Sequence, residues 1–355
     1  MPKPLVSVLI DTYNHERFIE QAIVSVLEQD VPPAEMEVIV VDDGSTDTTP
    51  AIVRKFLPRV RYLRKENGGQ ASAFNAGIPE TRGEIVAFLD GDDWWAPTKL
   101  RKVVEALATD SQVGIVGHGI IEVFQNGSQR AELLKEIPRF RINSLEGALA
   151  FRLRKSFLGT SRMTIRRELL RRILPVPEDL RIEADEYLFT MSAVLADALI
   201  LPEALTFYRL HGANLYQMSG FVPSNLRRKQ GTLVSLAADL SKALLGSGVS
   251  PEVARAVTEV IEAEATQLRL MVDGGWPWET VRTELKIYQI MHRRASSRQW
   301  GFKYVSLLPA LVLPPRFFYR CKRGLAQSDL YLRARERWVP IPTLPHTESR
   351  SCRKP

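Results

Sequence analysis

Three short acidic motifs hold the side chains best suited to chemistry: Asp11-Thr12-Tyr13-Asn14, Asp42-Asp43-Gly44-Ser45 and Asp90-Gly91-Asp92-Asp93. Hard divalent cations take oxygen ligands, and Mg²⁺ commonly uses one or two carboxylates and completes its sphere with substrate phosphates. An acid–glycine–acid spacing at a strand end aims both outer carboxylates to one side, and Gly91 leaves room for a ligand near the backbone. A carboxylate at Asp42 or Asp43 can accept hydrogen bonds from a base N–H or a ribose hydroxyl. Ser45 or Asp47 can equally cap the helix that follows. The Tyr13 ring can pack on a planar base. Asn67-Gly68-Gly69-Gln70 either brings backbone close to a ligand or simply starts a helix. A row of unpaired carboxylates repels itself, so a metal carrying a phosphorylated ligand is the expected counter-charge. The motifs read as a metal-assisted nucleotide site.

Each acidic motif follows an apolar run, at residues 6–10, 38–41 and 85–89. Helical spacing over 18–28, 48–56 and 70–78 separates these runs, and 60–63 reads as a short strand. A helix from Pro97 to about Ala108 precedes another strand at 113–116. This alternation predicts an α/β fold with a doubly wound, mostly parallel sheet whose carboxyl ends share one rim, the usual ligand edge of such sheets. Beyond it, residues 120–124 with Asn126-Gly127 predict a hairpin. Residues 145–154 and 165–173 are amphipathic, 185–196 a helix and 204–208 a last short strand. Only helical periodicity remains from 223 to 291. The expected organisation is a catalytic domain over 1–220, a helical domain over 221–300 and a basic, Pro-rich tail over 301–355.

Bulk composition narrows the class. A chain of 355 residues with 45% hydrophobic and 25% charged residues is an ordinary globular protein. The net charge of +7 is concentrated after residue 292, where fourteen Lys/Arg face three acids. Such a tail suits a membrane surface, or is merely solvated. Cys321 and Cys352 form no metal-ligand cluster or disulfide framework, which suits a reducing compartment. No run reaches the roughly 18 apolar residues that a membrane-spanning helix needs. Met1-Pro2-Lys3-Pro4 leads straight into the first strand, so no signal peptide is expected. A cytoplasmic location follows, with the inner membrane face as a place for the tail.

In order and spacing, residues 6–14, 40–47, 67–69 and 88–93 resemble the motifs of glycosyltransferase family 2, and the likeness extends over about 5–215. It implies a GT-A fold and inverting sugar transfer from a nucleotide sugar, UDP-sugars being favoured. Thr12 and Tyr13 would line the nucleotide pocket, Asp43 would contact the base, and Asp90 would lie at the ribose and metal side. Asp92 would be the main ligand of Mg²⁺ or Mn²⁺. Asp11 departs from the usual Pro or Ala. The catalytic base aligns with Asp185, with Ala184 in place of the family's usual Glu; Glu183 and Glu186 remain alternatives. Tyr208-Arg209-Leu210-His211-Gly212-Ala213-Asn214 resembles the family's closing motif, whose His reaches metal or diphosphate. Trp94 and Trp95 line an acceptor or sugar site, or belong to the core. The acceptor would be a glycan, a lipid-linked sugar or a protein.

Other classes fit less well. The chain has neither a Gly-x-x-x-x-Gly-Lys-Ser/Thr loop nor a dinucleotide fingerprint. An acidic signalling pocket like that of receiver domains would place its acid pair after the first strand, not the second. Nucleic-acid binding would rest on the basic tail alone, and none is expected.

Overall fold

A computed structural model describes residues 4–211, 222–292 and 296–326. In chain order the elements are β1 (Val6–Thr12), α1 (Ile19–Leu27), β2 (Met36–Asp42), α2 (Thr49–Arg54), β3 (Arg61–Arg64), α3 (Gln70–Gly77), β4 (Ile85–Asp90), β5 (Trp94–Trp95), α4 (Lys99–Thr109) and β6 (Val113–Val123). There follow β7 (Gln129–Ala131), β8 (Arg139–Phe140), α5 (Leu145–Arg154), β9 (Thr164–Arg166), α6 (Arg167–Ile173), α7 (Ala184–Leu195) and β10 (Asp197–Arg209). Helices α8 (Pro223–Gly246), α9 (Pro251–Val272), α10 (Pro277–Met291), α11 (Ser297–Leu307) and α12 (Pro315–Ala326) complete the described chain.

The sheet runs β3-β2-β1-β4-β9-β6-β10-β5, with β7 paired to β6 and β8 to β10. Strands β1, β2, β3 and β4 are mutually parallel, as the strand–helix alternation predicts. One antiparallel strand, β9, is inserted between β4 and β6, so the sheet is mixed. Its last two residues fall in the run 165–173, whose amphipathic spacing gives no strand signal; the helix of that run begins at Arg167. Two further strands outgrow their sequence signals. β6 continues to Val123 through Gly117-His118-Gly119, and β10 spans Asp197–Arg209 with register shifts on either side of Ala204. Pairing along their shared length holds both extended where local propensity does not.

Alternation along the central strands sorts the core. Val8, Ile10, Val40, Ala87 and Leu89 share one cluster with Ile19, Ile23 and Val26 of α1 and Leu100, Val103 and Leu107 of α4. Each Val, Leu or Ile side chain among them contributes roughly 1.5–3 kcal/mol on burial. On the opposite face, Phe74 of α3 meets Phe88 of β4 edge to face at 5.4 Å.

The chain divides into two compact units, Met1–Leu268 and Arg269–Pro355, whereas the sequence places boundaries near 220 and 300. Two ion pairs tie the later helices into the first unit: Lys229 of α8 to Glu183 at 3.0 Å, and Arg152 of α5 to Glu259 of α9 at 2.6 Å. In the second unit, Leu270, Leu307, Ala310, Phe318 and Tyr319 form a small core. Beside them Lys303 and Lys322 neutralise the buried Glu284 at 2.9 and 2.6 Å. Among the described residues no helix is long and apolar enough to cross a membrane. Cys321 is a free, exposed thiol. Cys352, residues 212–214 of the closing motif and tail residues 327–355 lie outside the described residues.

Candidate active site

The parallel register brings the motifs together at the carboxyl rim. Asp11 stands opposite Asp90 on neighbouring strands, and Thr12 opposite Asp42. The Gly91 N–H donates to the Asp11 carbonyl at 2.9 Å, and the Asp43 N–H to the Thr12 carbonyl at 2.9 Å. Gly91 packs closely against the first motif. A Cβ there would meet Thr12 Oγ1 at 2.6 Å and His15 Nδ1 at 2.8 Å, so the glycine exists for close packing of the first motif.

Asp92 is flanked by imidazoles. His211 Nε2 lies 2.8 Å from Asp92 Oδ2 and His15 Nε2 lies 3.9 Å from the same oxygen. Thr12 Oγ1 is 3.2 Å from His15 Nδ1. Arg209 braces the group: its N–H donates to Asp93 Oδ1 at 3.0 Å and its guanidinium to the Asp92 carbonyl at 3.0 Å. The guanidinium also lies 4.8 Å from the Phe18 ring centre and 4.4 Å from that of Trp94. Trp95 is core, its indole N–H donating to the Ser161 carbonyl at 3.0 Å; Trp94 is half-buried and stacks on Phe207.

The two acids of the second motif point to opposite sides of their strand and do different work. Asp43 accepts from Lys65 Nζ (2.7 Å), the N–H groups of Gly68 (2.9 Å) and Gly69 (2.7 Å) and the Asn67 amide (3.1 Å), and so shapes the glycine turn. An open cleft of about 590 Å³ lies beside it, lined by Gly44, Arg64, Lys65, Glu66 and Asn67. Asp42, expected at the nucleotide, turns inward instead. It is fully buried and accepts the Ser45 N–H at 2.7 Å and the Tyr62 hydroxyl at 2.5 Å. Asp47 takes the capping role, accepting the Thr49 N–H at 2.9 Å. Tyr13 is 44% exposed, leaving its ring open to a ligand, whereas Thr12 is buried.

The glycine turn also reaches the candidate base. Gly69 has φ +88°, and a Cβ there would come within 2.6 Å of Arg181, so only glycine fits both the conformation and the contact. Gln70 donates to Thr160 Oγ1 at 3.0 Å and accepts the Ala184 N–H at 2.9 Å, which fixes the start of α7. There Asp185 Oδ2 accepts from the Thr160 N–H (3.0 Å) and hydroxyl (3.1 Å). Among the described residues no cation pairs with Asp185, whereas Glu183 is held by Lys229 at 3.0 Å and Glu186 by Lys155 at 2.5 Å. Asp90 shares the Ser161 hydroxyl, which donates to its Oδ2 at 3.3 Å.

Burial makes this cluster electrostatically costly. Burial foremost, with the charges of Asp92, Asp185 and Asp43 adding, pushes Asp11 up to about 8. Burial, then Asp11, Asp92, Asp93 and Asp185, drives Asp90 well above the usual carboxylate range. Burial raises Asp185, and raises Glu183 to about 7 against the pull of Lys229. Asp92 alone of the inner acids goes the other way: burial raises it, but the His211 hydrogen bond and the charges of His15 and His211 prevail. Asp11 Oδ1 and Asp93 Oδ2 are buried with no hydrogen-bond partner among the described residues. A divalent cation suits this donor set of carboxylate oxygens and one imidazole. No three His, Cys, Asp or Glu side chains among the described residues converge as metal ligands.

His15, Thr160 and Ser161 were not singled out from the sequence, and Gln70 and Arg209 entered only as members of longer motifs. His15 follows Thr12 by three residues and was the accessible clue; Thr160 and Ser161 sit in a loop without a motif.

The fold is an α/β sheet with a rim of acids at its strand ends, and comparison with known proteins narrows its class. Residues 7–174 match the family model described as Glycosyl transferase family 2. The chain is 34% identical over 234 residues to the uncharacterized glycosyltransferase alr2836 of Nostoc sp. (strain PCC 7120), covering 63% of this chain and 70% of that protein. The chain belongs to glycosyl transferase family 2 and is a glycosyltransferase. Its fold is that of GT-A enzymes. S. aureus TarS 1–349 in complex with UDP matches with TM-score 0.55 at 21% identity, over 90% of this chain and 91% of that one. The mannosyltransferase PcManGT of Pyrobaculum calidifontis, in complex with GDP-Man and Mn²⁺, matches with TM-score 0.50 at 24% identity, over 94% and 84%.

Proposed function

We propose that this glycosyltransferase moves a sugar from a nucleotide-diphosphate sugar, by preference a UDP-sugar, with inversion at the anomeric carbon. The observation carrying this reading is that Asp185, whose charge acts on Asp11 and Asp90, pairs with no cation among the described residues, whereas a lysine ties up each neighbouring glutamate. Thr12, Tyr13, Asp43, Asn67 and Gly69 hold the nucleoside, and Asp90 the ribose side. Asp42 acts from behind, through the turn. Asp92 and His211 hold Mg²⁺ or Mn²⁺, which when bound supplies positive charge against the departing diphosphate. The solved relatives in complex with UDP and with GDP-Man and Mn²⁺ support both a nucleotide donor and a cation.

Asp185 takes the proton of the acceptor hydroxyl as its oxygen attacks the anomeric carbon. The bond to the diphosphate breaks with its electron pair leaving on the nucleoside diphosphate. A carboxyl raised by burial is suited to this task, because it binds the proton more readily than a solvated one. Thr160 and Gln70 hold its orientation. The acceptor is a glycan, a lipid-linked sugar or a protein; residues 1–220 carry catalysis, 221–300 support it, and the basic tail makes peripheral membrane contact.

Calorimetric titration of UDP, GDP and dTDP with and without Mn²⁺ tests the reading. Manganese-dependent binding of UDP, lost in Asp92→Ala, is expected. Equal binding with and without the metal, or in Asp92→Ala, would remove the metal role.

A further inference from the structure

Helix α11 and the turn after it are amphipathic the wrong way round for a protein standing alone in water. Leu307 and Ala310 face the small core of the second unit. Tyr304 and Val305 in the last turn of α11, Leu308 and Leu311 in the 3-10 turn that follows, and Val312 just after it are 55%, 64%, 58%, 56% and 77% exposed. Aromatic residues extend the surface. Phe317 at the start of α12 is 54% exposed, and its neighbour Arg316 lies against Gly274 of the loop that leads to Trp276, itself 70% exposed. An exposed apolar face of this extent in a folded protein marks a docking surface.

Charge selects the occupant. Between Glu284 and Asp329 the sequence contains nine Lys or Arg and no acid. Arg316 and Arg320 are exposed on the same helix as Phe317. A second copy of the chain would set these like charges face to face. Nucleic acid has no use for a Val/Leu patch. Aliphatic side chains flanked by tryptophan, tyrosine and basic residues, on helices too short to span, are the composition of a helix lying in the interface of an anionic bilayer.

We propose that residues 304–312, with Phe317 and Trp276, form a face that docks on an anionic lipid surface, its apolar patch entering the acyl boundary and its arginines meeting the headgroups. This gives a location to the membrane contact in the proposed function and is independent of the donor and metal assignments. It presents the enzyme to acceptors held at a membrane.

The test is co-sedimentation of the full chain with phosphatidylcholine vesicles with and without phosphatidylglycerol, at low and high salt. The expected result is binding that requires phosphatidylglycerol, weakens with salt, and falls about tenfold or more in Val305→Asp/Val312→Asp. Both positions are exposed, so far-UV circular dichroism and UDP affinity of that variant should match wild type. Trp276→Phe should diminish the blue shift of tryptophan emission on binding. No binding to anionic vesicles, or equal binding by the double variant, would overturn the proposal. So would light scattering that shows a wild-type oligomer dissolved by the double variant, which would give this face to a second copy. Loss of UDP affinity in wild type would bear on the donor reading alone.

Discussion

Replacing Asp42 by Ala separates a structural carboxylate from a ligand-binding one. Asp42 is fully buried, and its oxygens take the Ser45 N–H at 2.7 Å and the Tyr62 hydroxyl at 2.5 Å. The Arg64 guanidinium, 3.7 Å away on a side chain 49% exposed, adds little. Removing the carboxylate strands a buried N–H and a half-buried hydroxyl, each costing roughly 1–3 kcal/mol, so about 4 kcal/mol together. Net stabilities are about 5–15 kcal/mol, so the loss should be plain in a urea unfolding curve followed by tryptophan fluorescence. Asp42→Asn keeps an acceptor for Ser45 and offers its amide to the Tyr62 oxygen, so it should cost about 1 kcal/mol. Below the unfolding transition, both variants should bind UDP within about threefold of wild type, under 1 kcal/mol. Asp43→Ala should instead lose nucleotide affinity, because it releases the glycine turn. An Asp42→Ala protein that unfolds with wild-type denaturant dependence but no longer binds UDP would refute this division of labour.

Three further outcomes are expected. Gly91→Ala forces a Cβ to within 2.6 Å of Thr12 Oγ1 and should destabilise by about 1–3 kcal/mol while weakening nucleotide binding, read by thermal melts and titration. Asp185→Asn should retain donor binding but lower transfer by about 10²–10⁴-fold; in wild type the rate should rise with pH as Asp185 ionises, a limb absent from the variant. Lys99 is fully buried, its Nζ over the Trp95 ring at 3.2 Å with no hydrogen-bond partner among the described residues, and burial pulls its pKa well down. The folded state then binds fewer protons than the unfolded one, so stability should rise with pH up to the free-lysine value. Lys99→Met should accordingly stabilise at neutral pH by on the order of 2 kcal/mol, with the gain shrinking toward pH 10.5 in denaturant melts.

Much of the catalytic half was legible before any coordinates. Apolar runs ending in acids, separated by helical spacing, determine parallel strands with their carboxyl ends together, because period 2 and period 3.6 are local properties of the chain. The four motifs were enough to place the chain in its family. The C-terminal basic excess was equally plain, since charge is additive along a sequence.

Tertiary structure decided what local pattern cannot carry. Whether Asp42 or Asp43 faces inward depends on the pleat and on Tyr62, twenty residues away. The role of Gly91 depends on Thr12 and His15, contributed by a different strand and the loop after it. That Glu183 and Glu186 are lysine-paired and Asp185, among the described residues, is not rests on Lys229 and Lys155, whose placement follows from the packing of α8 and the turn after α5. Strand β9 exists only because β4 and β6 lie on either side of three residues with little strand signal of their own. Each of these is a pairing between distant segments, and its free energy resides in the assembled contact rather than in either partner's sequence.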